Sequence, residues 1–529
     1  MYKKYNILLQ DMYNKFFPAT TKTVTISDYS RPWITKGIRK SITKKHSLYK
    51  KYLNNRTEKA FNLYKSYRNK LTSVLRKSEK DYYVQKLDSV KGNLAKTWKV
   101  LNAITSRHTQ SSVVDEIVYN NSIIKDPEQI ANKFNDFFVN VGPTLAKKIP
   151  HASKNFKQFL PPSNQNSVFF KPTDDAEIRL IIRSLKNSDS KGHDNLSVNL
   201  IKNCSESLAV PLAMIFNKSI SDGMVPDDLK IAKIIPVYKS DDKKIVSNYR
   251  PISVLPAFSK ILEKLVYNRL LDFINQHNLL SKDQYGFRKN ISTSMALIDL
   301  TDKISTSLEN NEYTIGVFLD LAKAFDTVNH SILLDKLYHY GIRGIPFQWF
   351  QNYLSNRLQY VYLNNTNSDK LPITCGVPQG SILGPILFLL YINDLSTVTK
   401  LLTFIMFADD TNIFISGKNL DFITHIINSE LTTVSTWFNA NLLSLNIKKT
   451  NYILFSNKTN PDIQILIGNE KVARVFQTKF LGIIIQANLK WKEHISLVAN
   501  KTVKTLGVMN KIKHFLTSAY LKKLVPVLD

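Results

Sequence analysis

Cysteine is nearly absent: Cys204 and Cys375 are the only two in 529 residues. Two separated thiols supply neither the ligand set of a structural zinc nor a disulfide framework, and they fit a reducing, intracellular compartment. No glycine loop of the Walker type occurs, which argues against a nucleoside triphosphatase. Long apolar runs are missing too. The longest, Ile382 to Ile392, is interrupted by Gly384 and Pro385 and falls well short of the ~20 residues needed to cross a bilayer. Met1-Tyr2-Lys3-Lys4 leads into no apolar core of signal-peptide length. Acidic residues are also in deficit: 42 Asp+Glu stand against 72 Lys+Arg, a formal charge of +30. Such a surface concentrates polyanions. With no membrane span, nucleic acid is the expected partner. There is enough apolar material, 43% of residues, for a real core.

The basic excess is uneven. Residues 31–100 hold 20 Lys+Arg and four acids, and no Gly or Pro falls between Gly37 and Gly92. Phe61, Tyr64, Leu71, Val74 and Leu75 recur at helical spacing, so long basic helices are expected. Tyr49, Tyr52, Tyr67, Tyr82, Tyr83 and Trp98 are interleaved. The zone is either a solvated helical face or an RNA-binding extension, with cations on phosphates and rings on exposed bases. Residues 151–172, with Pro161, Pro162 and Pro172, read as a linker or surface loop. Asp175 to Leu185 follows as an amphipathic helix. From Ile231 onward short β-rich runs alternate with helical stretches, an α+β pattern.

Thr314 to Leu321 is a buried-strand pattern that reaches a carboxylate at Asp320. Leu401 to Phe407 is another apolar strand. It meets Ala408-Asp409-Asp410 and then Thr411-Asn412-Ile413-Phe414-Ile415, a hairpin with acids at its tip. Acids at a turn are ordinary. Two such features in one basic chain suggest a divalent-metal site for phosphoryl chemistry, because hard cations take carboxylate oxygens. Between them, Cys375 to Ser381 is a bending, glycine-containing segment opening an apolar helix. That helix N-terminus is expected to offer free N–H groups to a phosphate or a template base pair.

In order along the chain, these segments resemble the motifs of reverse transcriptases of non-LTR (LINE-type, Jockey-like) retrotransposons. Asn248 to Ser253 and Gln284 to Arg288 resemble the two fingers motifs. Phe318 to Asp326 resembles motif A, Gly376 to Ser381 motif B and Phe407 to Asp410 motif C. Leu445 to Thr450 resembles motif D, and Phe480-Leu481-Gly482 the primer grip. Gly341 to Trp349, Tyr353-Leu354 and Asn356-Arg357 match the stretch typical of this family between A and B, and Arg31 to Thr35 resembles a region ahead of the polymerase. The resemblance implies an α+β, right-hand palm polymerase, with fingers and palm on antiparallel sheet, preceded by a basic helical N-terminal extension. The layout it implies is the extension over 1–160, a linker and the start of the fingers over 161–218, fingers and palm over 219–485, and the start of a thumb over 486–529.

The implied activity is RNA-directed DNA polymerisation: two-metal transfer of dNTPs to a primer 3′-end on an RNA template. Partners would be the RNA template, a DNA primer or target DNA, and dNTPs, within an intracellular ribonucleoprotein of nucleus or cytoplasm. Asp320, Asp409 and Asp410 would hold two Mg2+ ions, with Mn2+ an alternative, and the Leu321 carbonyl would be a further ligand. Phe325 stands at the steric-gate position. Arg250 and Arg288 would meet the triphosphate or template, Gln379 and Gly380 would line the nucleotide pocket, and Lys449 would be the motif D lysine, with Lys448 competing. Phe480, Leu481 and Gly482 would grip the primer. A viral-type RNA polymerase shares the palm, but a bulky ring at Phe325 opposes a ribose 2′-hydroxyl. Residues 1–218 hold no nuclease constellation, and the chain ends soon after Gly482, so the expectation is a fragment lacking the endonuclease and most of the thumb. The alternative is a decayed copy that binds nucleic acid without catalysis.

Overall fold

The structure is a computed structural model that describes residues 1–18, 31–90, 94–104, 114–119, 122–150, 152–458 and 461–513. These fall into two compact units, Met1–Gln10 with Ser112–Trp491, and Asp11–Ser111 with Lys492–Asp529. Helix and sheet are mixed, and no described helix is long and apolar enough to cross a membrane.

The first unit is organised by two five-stranded sheets. One has the order Ala473–Arg474, Asn451–Phe455, Tyr313–Leu319, Asp410–Gly417, Thr403–Phe407, antiparallel except for its first pair. Its central strand, Tyr313–Leu319, is apolar at nearly every position because both faces are covered. Gly316 lies opposite Phe414, and a Cβ there would stand 2.6 Å from that ring. The glycine makes room for an aromatic from the neighbouring strand. Helix Thr293–Glu309 buries Ala296, Leu297, Leu300 and Ile304 in the same core as Phe318, Phe414 and Phe455. Helix Leu420–Ala440 buries Leu420, Ile423, Ile427, Leu431, Val434 and Phe438, a stripe of three- and four-residue steps. Its start is fixed by Asn419, whose side chain accepts from the Phe422 N–H at 3.1 Å.

The second sheet has the order Tyr249–Val254, Ile231–Tyr238, Arg357–Leu363, Thr366–Asn367, with Leu371–Ile373 also on Arg357–Leu363. Helix Pro127–Ala146, capped by Asp126 and opened by Pro127, lays Ile130, Ala131, Phe134 and Phe138 on this sheet's core. The division between units therefore cuts across the expected 1–160 extension. The apolar stripe of 127–146 belongs with the sheet, while the basic zone ahead of it does not. Residues 152–174 are irregular apart from a 3-10 turn at Phe156–Phe159, and helix Asp175–Ser184 follows with Asp174 as its cap. The stretch 161–218 also holds helices Val198–Asn203 and Ser205–Asp222.

In the second unit Lys36–Asn55 and Glu58–Asp88 are helices capped by Thr35 and Thr57 and separated by Arg56 in the left-handed region. Their rings interlock: Tyr49 meets Tyr64 at 5.0 Å between centroids and Tyr52 meets Phe61 at 5.1 Å. Trp33 and Tyr83 meet at 5.4 Å beside buried Leu87 and Leu101. The aromatics read as platforms for bases are thus largely occupied in holding the helices together. The lysines remain outside, among them Lys50, Lys51, Lys59, Lys65, Lys70 and Lys77, all exposed.

Candidate active site

The three acids arise at adjacent strand ends. Strand Tyr313–Leu319 runs out at Asp320, and the register Thr411↔Leu319 places Asp320 beside Asp410. Phe407 pairs with Asp410, leaving Ala408-Asp409 as a two-residue tip, with Ala408 at φ 56°. A residue from another motif clamps this tip. The buried Gln284 side-chain oxygen accepts from Ala408 N–H at 2.9 Å and from Gly286 N–H at 2.7 Å. A Cβ on Gly286 would lie 2.2 Å from the Ala408 nitrogen, so only glycine fits. Beyond Asp320 the chain is tied to the 442–450 turn. The Asp320 carbonyl accepts from Asn446 N–H at 2.8 Å, its own N–H donates to Thr450 Oγ1 at 3.2 Å, and buried Leu321 bridges Leu445.

Burial and neighbouring charge act on two of the three acids. Burial raises Asp410 to about 6, with the charges of Asp409 and Asp320 adding to it. Asp409 is raised by burial and by Asp320, against a backbone hydrogen bond and the pull of Arg250 and Lys239. Among the described residues none of the three carboxylates forms an ion pair, and no three His, Cys, Asp or Glu close into a metal cage. Mutually repelling oxygen donors with no protein cation in contact suit a hard divalent ion.

Four cations share this neighbourhood. Half-buried Lys323 donates to the carbonyls of Ser247 and Tyr249 at 3.3 and 3.2 Å. Its pKa is lowered by burial, raised by Asp326 and lowered by Lys239, Arg250 and Lys449. Arg250 and Lys239 also act on Asp409. Of the adjacent Lys448 and Lys449, Lys449 is the one acting on Lys323. Lys239 and Lys323 escaped the sequence reading. Lys323 lies inside the stretch Phe318 to Asp326 but was given no role there, and Lys239 sits beside Asn248 in space with no local pattern to mark it.

Phe325 is half-buried, stacked on Phe388 with centroids 4.6 Å apart and edge-on to Phe287 at 6.2 Å. Gln379 lines a small cavity together with Asp326, and its carbonyl accepts from Ser253 N–H at 2.8 Å. Gly380, at φ 125°, passes so close to the Ser253 carbonyl that a Cβ would lie 2.6 Å from it. Arg288 Nη1 donates to the carbonyls of Ser281 and Gln284 at 2.9 and 3.1 Å, bracing the loop that clamps the hairpin. Helix Leu383–Ile392 also departs from expectation. Its first N–H groups are not free, because Ile382 donates to the buried Glu263 carboxylate at 2.6 Å and Gly384 to Ser381 Oγ at 2.8 Å. Burying that apolar helix end requires internal acceptors, and Glu263 supplies one from 119 residues away. Phe480, Leu481 and Gly482 form the turn of hairpin Gln477–Phe480/Ile483–Gln486, with positive φ at Leu481 and Gly482 and Phe480 buried 6.4 Å from Phe318.

Residues 238–509 match the family model Reverse transcriptase (RNA-dependent DNA polymerase), and residues 34–91 match Female sterile protein K10 C-terminal domain. The chain is similar to the RNA-directed DNA polymerase from mobile element jockey of Drosophila melanogaster, 30% identical over 331 residues, 60% of this chain and 36% of that protein. It is similar to the probable RNA-directed DNA polymerase from transposon BS of the same species, 30% identical over 353 residues, 64% of this chain and 38% of that one. The probable RNA-directed DNA polymerase from transposon X-element is 27% identical over 333 residues, 61% and 36% of the two chains. The chain thus spans under two fifths of the length of these relatives. With the first match covering just over half of its residues, the chain belongs to the reverse transcriptase (RNA-dependent DNA polymerase) family.

Proposed function

We propose that this chain is the polymerase of a jockey-like non-LTR retrotransposon and joins dNTPs to a primer 3′-end along an RNA template. One observation carries the reading: Asp320, Asp409 and Asp410 converge at the ends of neighbouring strands, facing a cluster of cations. In this reading the sheet centred on Tyr313–Leu319 is the palm, the sheet with Ile231–Tyr238 belongs to the fingers, and Lys492–Ile512 begins a thumb. Asp320, Asp409, Asp410 and the Leu321 carbonyl would hold two magnesium ions, whose chemistry is to activate a 3′-hydroxyl and stabilise leaving pyrophosphate. Lys239, Arg250, Lys323 and Lys449 orient the triphosphate and balance its charge. Lys449 would give a proton to the departing pyrophosphate. Arg288 and Gln284 hold the hairpin in position, and Phe480-Leu481-Gly482 supports the primer end. Primer extension on an RNA template with dNTPs tests the reading, and a purified, folded chain that extends nothing in Mg2+ or Mn2+ refutes it.

Sugar choice follows from Phe325, whose stacking on Phe388 keeps the ring from swinging away. Phe325→Ala is expected to raise ribonucleotide use relative to deoxyribonucleotide use by more than the ~10–200-fold that a missing methylene brings. Comparing kcat/KM for the two sugars checks it. An unmoved ratio makes Phe325 a core aromatic only.

The basic helices Lys36–Asn55 and Glu58–Asp88 are assigned to RNA through charge, since their rings are engaged with one another. Replacing Lys50, Lys51, Lys59, Lys65, Lys70 and Lys77 by Gln in the full chain is expected to flatten the salt dependence of binding. If all six meet phosphates of single-stranded RNA, the slope of log affinity against log salt becomes less negative by about 4. An unchanged slope makes this a merely solvated face.

A further inference from the structure

Asp326 follows the gate residue directly, and the reaction described so far gives it no part. Its Oδ1 accepts from Gln379 Nε2 at 2.8 Å, while Oδ2 is buried without a hydrogen-bond partner. Arg357, 1% exposed, lines the same cavity of about 40 Å³ with Nε and Nη2 likewise unpartnered, yet among the described residues the two form no ion pair. Among the described residues the one side-chain hydrogen bond this carboxylate makes is to Gln379. A buried charge kept for a single amide partner is costly, which makes that contact the feature to explain. Burial raises the Asp326 pKa to about 6, opposed by the Gln379 bond and by Lys323.

The backbone around this pair is laced. Val377 N–H donates to the Phe325 carbonyl at 2.9 Å, Gly376 N–H to that of Val328 at 2.7 Å, and Cys375 Sγ to that of Asp326 at 3.4 Å. Asn329 bridges Cys375. Gly142 of helix Pro127–Ala146 presses on the joint, where a Cβ would lie 2.3 Å from the Asp326 carbonyl and 2.5 Å from Cys375 Sγ. A carboxylate only accepts, so it fixes the Gln379 amide with its NH2 toward Asp326 and its oxygen the other way. A neutral side chain at 326 would leave either orientation open.

We propose that Asp326 is a positioning residue for the nucleotide pocket: it locks the Gln379 amide in one orientation and, with the laced backbone, holds Phe325 where it excludes a 2′-hydroxyl. This rests on the polymerase reading above, and Asp326 acts through Gln379 and Phe325. The test is primer extension by the full chain on RNA, measuring the ratio of kcat/KM for deoxy- and ribonucleotides. Asp326→Ala is expected to lower the ratio about tenfold, and Asp326→Asn less. Added to Phe325→Ala, Asp326→Ala should change the ratio no further. The exchange Asp326→Asn with Gln379→Glu, which rebuilds an acid–amide pair and keeps an oxygen on the outward side, should recover the ratio. Should Asp326→Ala fail to fold, Asp326→Asn and the exchange carry the test alone. Parallel losses for both sugars with an unmoved ratio overturn the proposal and leave Asp326 a structural residue. No incorporation by the unmodified chain overturns the polymerase reading, and this inference with it.

Discussion

Asp409→Asn is expected to abolish primer extension while leaving RNA binding in place. Asp409 sits at the two-residue tip of a hairpin whose neighbouring strand brings Asp320 alongside. Burial raises the pKa of Asp409 and of Asp410, the charges of the neighbouring acids raise them further, and that repulsion is what a divalent ion would relieve. An amide keeps the shape and the clamp from Gln284, since that clamp holds the Ala408 N–H and not the acid. What it removes is one charge from the metal set. A loss of ~4 kcal/mol of transition-state stabilisation corresponds to about a thousandfold in rate. Extension by wild type and variant is compared in matched Mg2+, with RNA affinity measured alongside. Equal rates would remove Asp409 from the metal site, and a parallel collapse of RNA binding would point to misfolding instead.

Asp394→Ala should be the most destabilising single change in the first unit. Lys336 is fully buried, donating to Asp394 Oδ1 at 2.5 Å and to the Tyr391 carbonyl at 2.6 Å. Asp394 Oδ2 also accepts from the Trp437 indole N–H at 2.8 Å. The pair therefore joins helix His330–His339, the end of Leu383–Ile392 and helix Leu420–Ala440. Burial lowers the Lys336 pKa and Asp394 opposes that shift, so deleting the acid strands a cation in the core. Breaking a buried pair from one side costs about 3–5 kcal/mol, whereas replacing both partners by apolar groups is often neutral. Denaturant midpoints should thus fall sharply for Asp394→Ala and recover in the double variant Lys336→Met with Asp394→Leu. A single-variant loss below ~1 kcal/mol would mean that water reaches the amine.

Several features were legible because their signals are local. An apolar run ending in Asp320, and another broken by Ala408-Asp409-Asp410, can be read within a dozen residues, since strand periodicity and turn chemistry act over that range. The basic zone is legible from composition, and Asp175–Ser184 from its cap and stripe. The order of the motifs pointed to the family that the comparisons bear out.

What only tertiary structure decided are pairings between residues distant in the chain. Gln284 grips Ala408 across 124 positions, Glu263 caps Ile382 across 119, and Gln379 meets Asp326 across 53. Gln284 and Glu263 are buried polar groups whose burial is tolerable only once the partner arrives. A single sequence shows the group but not the partner, so the bonds of Arg288 to its loop carbonyls, and the contacts of Tyr49 and Tyr52 with Tyr64 and Phe61, are seen only in the fold. Helix Pro127–Ala146 makes the same point. Its stripe announces a buried face, but only the fold shows that this face lies on the second sheet and that Gly142 rests on Asp326. Short-range periodicity is written in the chain, whereas the complementarity of buried surfaces exists only once the chain has folded.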